Sequence, residues 1–513
     1  MLRPGRGRPD HAAAAVGRLA GMEPTRRTPS ARRRAVCSLA CIAAWNAPVS
    51  AQPGAPPADT VAAAIEGVSA ERLRRGVDTL AGFGTRHTLS DTESQTRGIG
   101  AARRWLHAEF ERAVADSGRE GDLAPRVWFD VHPVEPGGRI ARAVEVVNVV
   151  CEIPGSSPES RFRHYYVLGH YDSRAGDGAD AEGDAPGAND DASGVAACLE
   201  LARVLSRLRL ESTIVLMATA GEEQGLIGAR LHALNARRQG RTIGAVLNND
   251  TIGDPSAPGG RSARDRVRVF SEGVPVSMLF EQPRTVTVRD EEPETPESRL
   301  REARNRLLQV SMLRRDGGEN DSPSRQLARY IAEVARQHGL PVQPMLINRP
   351  DRYLRGGDHT PFNELGWPAV RFVEVYENYD RQHQDPRVED GVQFGDLPEY
   401  VDAGYLADVT RLNAAVLVHL ANAPSPPSRP RLIIAGLTND TTLRWDASPE
   451  PDVAGYEVVW RETTAHEWQH VRDVGDVTEA TINRSKDNWF FGIRAYDHDG
   501  YRSPVVTPSA ASQ

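Results

Sequence analysis

Residues 165–205 read YYVLGHYDSRAGDGADAEGDAPGANDDASGVAACLELARVL, and this stretch decides the fold. Tyr165–Leu168 is a short apolar run without polar alternation, as expected of a strand covered on both faces, and it stops at Gly169-His170. A polar, glycine-rich connection follows and ends in Pro186-Gly187-Ala188-Asn189-Asp190-Asp191-Ala192-Ser193-Gly194. In Val195–Leu208, residues Val195, Leu199, Ala202 and Leu205 then recur at helical spacing. Buried strand, loop with His and Asp, and amphipathic helix together make one unit of an α/β domain.

The unit recurs. Thr213–Ala218 runs to Ala220-Gly221-Glu222-Glu223, Ala245–Leu247 to Asn248-Asn249-Asp250, and Ala369–Val375 to Tyr376-Glu377-Asn378. Upstream, Ile99, Ala102, Trp105, Leu106 and Phe110 share one helical face. These patterns predict a mostly parallel central sheet flanked by helices over residues 52–420, with 254–325, rich in Pro, Gly and charge, as a long surface insertion containing some helix. In such sheets ligands collect beyond the carboxyl ends of the strands. The His, Asp and Glu residues fall at those ends.

Composition narrows the chemistry. The chain of 513 residues is long enough for two or three domains, and 62 basic against 70 acidic residues argue against a nucleic-acid binder. No run of 18 apolar residues exists, so a bundle of membrane-spanning helices is excluded. Lys486 is the single lysine, and no Schiff-base, Walker-type or kinase context surrounds it.

The first 51 residues carry nine arginines and two acids. Arg32-Arg33-Arg34, the apolar run Ala35–Trp45 and Val49-Ser50-Ala51 predict a signal peptide cleaved near Ala51, with Met22 as an alternative start, and so an exported (periplasmic or secreted) protein. Cys151 and Cys198, which remain after cleavage, read as small buried hydrophobes rather than a disulfide. At the other end, residues 421–430, ANAPSPPSRP, read as a linker. Short strand-like runs such as Thr442–Trp445, Tyr456–Trp460 and Trp489–Ala495 then predict a small all-β sandwich over 431–508. It resembles a fibronectin type III module, notably in Ala495–Ser503, which would allow contact with a cell surface or polysaccharide.

Five segments carry candidate chemistry: Gly169–Ser173, Pro186–Gly194, Gly221-Glu222-Glu223, Asn249-Asp250 and Tyr379-Asp380-Arg381-Gln382-His383. Imidazole and carboxylate ligands without thiolate suit zinc, manganese or cobalt in a hydrolytic site. Asp190, in a turn flanked by Gly187 and Gly194, is a natural bridge between two ions. The pair Glu222-Glu223 offers one metal ligand and one free base for a water nucleophile, and no nucleophile elbow or catalytic-cysteine motif competes with it.

As a set these motifs resemble the co-catalytic two-zinc aminopeptidases, whose superfamily includes glutaminyl cyclases and glutamate carboxypeptidases. The resemblance spans roughly residues 78–420, beginning with Phe83-Gly84-Thr85-Arg86-His87 and Gly98-Ile99-Gly100. It implies a zinc-exopeptidase fold with two zinc ions: His170 and Asp250 on one, Glu223 and His383 on the other, and Asp190 bridging. Glu222 would be general base and then proton donor, and Asp172 would orient His170. Asp358-His359-Thr360-Pro361-Phe362 would line the substrate pocket, together with Tyr353. His359 rivals His383 as the last ligand, and the strand Ala369–Val375 between them favours His383. The implied activity is an aminopeptidase acting on peptides with a free N-terminus. Its alternatives are a glutaminyl cyclase, which uses one zinc, a carboxypeptidase using arginines such as Arg349, Arg352, Arg355 and Arg371, or a non-catalytic peptide-binding protein.

Overall fold

The computed structural model describes residues 58–279 and 296–511, so the expected signal peptide lies outside the described residues. Eight strands form one sheet: β1 (Arg126–Val134), β2 (Val144–Ile153), β3 (Arg163–His170), β4 (Thr213–Thr219), β5 (Thr242–Asn249), β6 (Arg266–Ser271), β7 (Gln343–Ile347) and β8 (Ala369–Val373). Their order is β1-β2-β4-β3-β5-β8-β6-β7. The central four, β4-β3-β5-β8, are mutually parallel. On one side β2 and β1 continue antiparallel, and on the other β6 runs antiparallel to β8 with β7 parallel to β6.

The parallel block is apolar on both faces because helices cover both. Tyr165 and Val167 of β3 face the core under α1 (Ala58–Gly67), α2 (Ala70–Ala81), α3 (Gly98–Ala115) and α4 (Ala192–Leu205). Tyr166 and Leu168, one residue out of step, face the core under α5 (Ile227–Arg238). Cys151 and Cys198 are buried and unbridged. Among the described residues no helix is long and apolar enough to cross a membrane.

One boundary needs correction. The stretch 254–325, read as a surface insertion, contains β6, whose Val267, Val269 and Phe270 are buried in the central sheet. Its composition hid it: Arg266 and Arg268 alternate with the apolar residues, and Arg268 is neutralised by Glu377 at 2.6 Å. Beyond β6 the segment includes a helix at Pro296–Arg315, before the helix Pro323–Gln337 packs its Leu327, Ile331 and Val334 into the core.

The C-terminal region is a pair of sheets. Ser428–Ile433, Thr441–Asp446, Glu479–Ile482 and Ser509–Ala511 form one, and Val453–Glu462, His470–Gly475 and Trp489–Asp497 the other. Between them lie Leu443, Trp445, Tyr456, Val458, Phe491 and Ile493. Polar contacts tie this sandwich to the segment around helix Pro323–Gln337. Trp468 Nε1 donates to Gln326 Oε1 at 3.1 Å, and the Tyr330 hydroxyl donates to the Arg502 carbonyl at 2.8 Å.

Candidate metal centre

The centre is built where β3, β5 and the N-terminus of α4 close on one another. Two glycines allow this approach: a Cβ on Gly169 would lie 2.5 Å from the Gly194 carbonyl carbon, and one on Gly194 would lie 2.2 Å from the Asn249 carbonyl oxygen. Asp191 then fastens the three elements. As the N-cap of α4 it accepts from Gly194 N at 2.8 Å, from His170 N at 3.0 Å and from Thr251 N at 3.3 Å.

At this junction two groups of ligand atoms form, His170 with Glu222 and Asp250, and Asp190 with Glu223 and His383, the atoms of each lying within 4.8 Å of one another. Asp190 stands between the groups. Its Oδ1 is 3.0 Å from His170 Nε2 and its Oδ2 is 3.1 Å from His383 Nε2. His383 Nε2 is also 2.9 Å from Glu223 Oε1, and His170 Nε2 is 3.8 Å from Asp250 Oδ2. His383, Thr251 and Leu226 hold positive φ of 56°, 57° and 60°. Left-handed backbone at bulky residues costs energy and gathers at sites where side chains must be aimed.

The structure thus brings together all five expected ligands and Glu222. His359 belongs to neither group. It is 1% exposed, with Nε2 2.9 Å from the Pro350 carbonyl oxygen. Asp358 is equally buried, its Oδ2 accepting from Thr219 Oγ1, whereas Tyr353 is 82% exposed beneath the Arg349 guanidinium. Asp172 is a second correction. Its carboxylate accepts from the backbone N–H groups of Glu222 at 3.2 Å and Glu223 at 3.1 Å. His170 Nδ1 instead meets the Asp172 backbone oxygen, at 3.1 Å, with the carboxylate at 3.7 Å. Both carboxylate oxygens are thus engaged by the loop of the paired glutamates.

Several residues that hold the centre were given no such role by the sequence. Asp396 accepts from Asn189 N at 2.9 Å and Asp190 N at 2.7 Å, and Gln382 Nε2 donates to Asp190 Oδ2 at 2.7 Å. Arg86, fully buried, donates to carbonyls of Tyr171 at 2.6 Å and Gly187 at 2.9 Å, joining the loops on either side of the site. Arg371 of β8 reaches Asp250. Asp191 and Gln382 had a visible signal, standing next to Asp190 and His383. The others come from distant parts of the chain.

Buried acid dominates the electrostatics. Burial, reinforced by Asp250, Glu223 and Asp358 and opposed by His170, pushes Glu222 well above the usual carboxylate range. Burial also raises Asp358 and Asp396, each to about 7. Against the pull of burial, the hydrogen bond to Asp190 and the surrounding carboxylates hold His170 well above its ordinary value. Asp190 goes the other way: burial would raise it, but both imidazoles hold it well down. Both oxygens of buried Asp250 lack an aligned hydrogen-bond donor, the Arg371 contact being ionic only. Excess buried carboxylate and an orphaned ligand oxygen fit divalent cations, and imidazole with carboxylate and no thiolate fits zinc.

A sequence profile described as peptidase family M28 matches residues 148–261. A probable zinc metalloprotease of Leptosphaeria maculans is 44% identical over 454 residues, covering 88% of this chain and 97% of that protein. One from Pyrenophora teres f. teres is 42% identical over 456 residues, covering 89% and 88% respectively. Among solved structures, the LapA aminopeptidase of Legionella pneumophila is similar at a TM-score of 0.46 and 17% identity, covering 72% of this chain and 76% of that one.

Proposed function

This chain belongs to peptidase family M28, the group of zinc-dependent hydrolases acting on peptides, and on that premise we propose that it is a two-zinc aminopeptidase releasing N-terminal residues. The observation that carries the proposal is the placement of Asp190, one carboxylate oxygen against each of two histidines, with a further acid completing each group. One carboxylate serving two ligand sets is what a pair of ions needs.

In this reading His170 and Asp250 hold one ion, Glu223 and His383 the other, and Asp190 both. When bound, zinc supplies Lewis acidity that polarises a peptide carbonyl and makes water nucleophilic at neutral pH. Glu222 moves the proton: a carboxylate oxygen takes it from the attacking water and later delivers it to the departing amine. Partial exposure suits that task, since the base must meet water and substrate. Asp172, by gripping both backbone N–H groups, keeps the adjacent glutamates in separate groups.

The four arginines that a carboxypeptidase reading drew on are already engaged. Arg371 is engaged by Asp250 and Asp351, Arg352 by Asp351 and Glu377, and Arg355 by Glu377 and Gln382. Arg349 donates to the Asp351 carbonyl and stacks on Tyr353. None of these four is left over to receive a substrate carboxylate, which leaves Arg174, partly open to solvent beside Glu223, as the arginine a carboxypeptidase would need. Two complete ligand groups weigh against a one-zinc cyclase and a non-catalytic protein. Export after cleavage near Ala51 and a fibronectin type III-like C-terminal module belong to the same reading, on the sequence pattern alone.

The test is mass spectrometry of peptides incubated with the full chain and zinc: one with a free amine, its N-acetylated twin, and one beginning with glutamine. Stepwise shortening of the free-amine peptide alone is expected. Ammonia loss from the glutamine peptide without shortening, trimming from the carboxyl end, or no change in a protein holding two zincs would overturn the aminopeptidase reading.

A further inference from the structure

The two ligand groups differ in the positive charge beside them. Arg371 is 1% exposed, and its Nη2 lies 2.7 Å from Asp250 Oδ1 while its Nη1 lies 3.0 Å from Asp351 Oδ2. The same Nη1 donates to the Gly356 carbonyl, and a Cβ on Gly357 would come 3.0 Å from it, so the guanidinium is packed in place. Around Asp190, Glu223 and His383, the one arginine within 4.0 Å of a ligand carboxylate among the described residues is Arg174, while Arg139 Nη1 donates to the Glu223 backbone carbonyl at 2.8 Å. Arg174 Nε stands 4.0 Å from Glu223 Oε2, and Arg174 is partly open to solvent.

Coulomb interactions grow as distance and effective dielectric fall, so a buried guanidinium 2.7 Å away acts far more strongly on its carboxylate than a partly solvated one at 4.0 Å. A fixed cation on a ligand carboxylate opposes a second cation on the same group. We propose that Arg371 makes the two ion positions unequal, so that the His170–Asp250 position holds zinc more weakly than the Asp190–Glu223–His383 position. The inference rests on the two-zinc reading above. Its consequence is a loosely held ion that exchanges with available metal, while Arg371 keeps Asp250 from standing as an uncompensated buried charge when that ion leaves.

Zinc-competition titration of the metal-free full chain against a chromophoric chelator tests this without measuring activity. The wild type should bind two zincs in steps about tenfold or more apart. His383→Ala should remove the tight step and Asp250→Asn the weak one. Arg371→Gln should tighten the weak step by about tenfold and leave the tight step in place, whereas Arg371→Lys, which keeps the charge, should resemble the wild type. Circular dichroism checks folding. If Arg371→Gln does not fold, the double variant Arg371→Gln/Asp351→Asn removes both members of the buried pair and should tighten the same step. Fewer than two zincs in the wild type would overturn the two-zinc reading itself. Two zincs in equal steps, or a weak step that Arg371→Gln loosens or leaves unmoved, would overturn the inference alone.

Discussion

Where the sandwich meets the segment around helix Pro323–Gln337, Asp321 receives Arg461 at 2.9 Å and Arg329 at 2.6 Å, and Glu457 receives Arg494 at 2.6 Å and Arg502 at 3.2 Å. At the strand ends of the central sheet, the acids Asp172, Asp190, Asp191, Glu223, Asp250 and Asp358 are buried beside two histidines and Arg371. Both regions take charge out of water. At the interface each carboxylate meets two guanidiniums, so the desolvation cost is offset and the geometry is fixed. In the centre acid is in excess, and that surplus is binding capacity for cations.

The contrast can be broken most forcefully at Glu222. Glu222→Gln should lower kcat by about 10²–10⁴-fold while the zinc content stays at the wild-type value, read by steady-state kinetics beside metal analysis. Zinc lost along with activity would make Glu222 a ligand of the His170–Asp250 group instead. The interface should behave in the opposite way. Arg461→Met leaves Asp321 buried with one partner fewer and should destabilise the folded chain by about 3–5 kcal/mol in chemical denaturation, with kcat/KM per folded molecule unchanged. A matching fall in kcat/KM would mean that the sandwich shapes the site.

The smallest effect sharpens the comparison through pH. Burial holds the Asp358 carboxyl up to about 7 in the folded, metal-free protein, against 3.8 ordinarily. A raised carboxyl pKa means that the unfolded chain releases its proton first. Stability of the metal-free protein should therefore fall as pH rises from about 4 to 7. Asp358→Asn should flatten that fall by an amount on the order of 1–2 kcal/mol, seen in denaturation midpoints across the range. An unchanged slope would show that this carboxyl carries none of the surplus.

How much of the centre was legible follows from how local each feature is. His170, Asp190, Glu222, Glu223, Asp250 and His383 sit just after apolar runs or in glycine-bounded turns, so chain neighbours announced them. Arg371 sits inside an apolar strand, and nothing in Ala369–Val373 says that its guanidinium will meet Asp250. Asp396 lies over 200 residues from the Asp190 N–H it receives. The strand β6 was masked by its own arginines, and Glu377, the partner of Arg268, is more than 100 residues away. The Asp172 carboxylate accepts from the loop after β4, while only its backbone oxygen meets His170.

By itself the sequence determined the parallel α/β units, the C-terminal sandwich and the residues offered at the strand ends, because burial periodicity and turn chemistry are properties of short segments. Only the tertiary structure decided which oxygens of Asp190 face which histidine and that a guanidinium shares Asp250. Those outcomes depend on strand order and on glycine-permitted close approaches, which bring together groups separated by many tens of residues, and electrostatic interaction depends on distance in space, not along the chain.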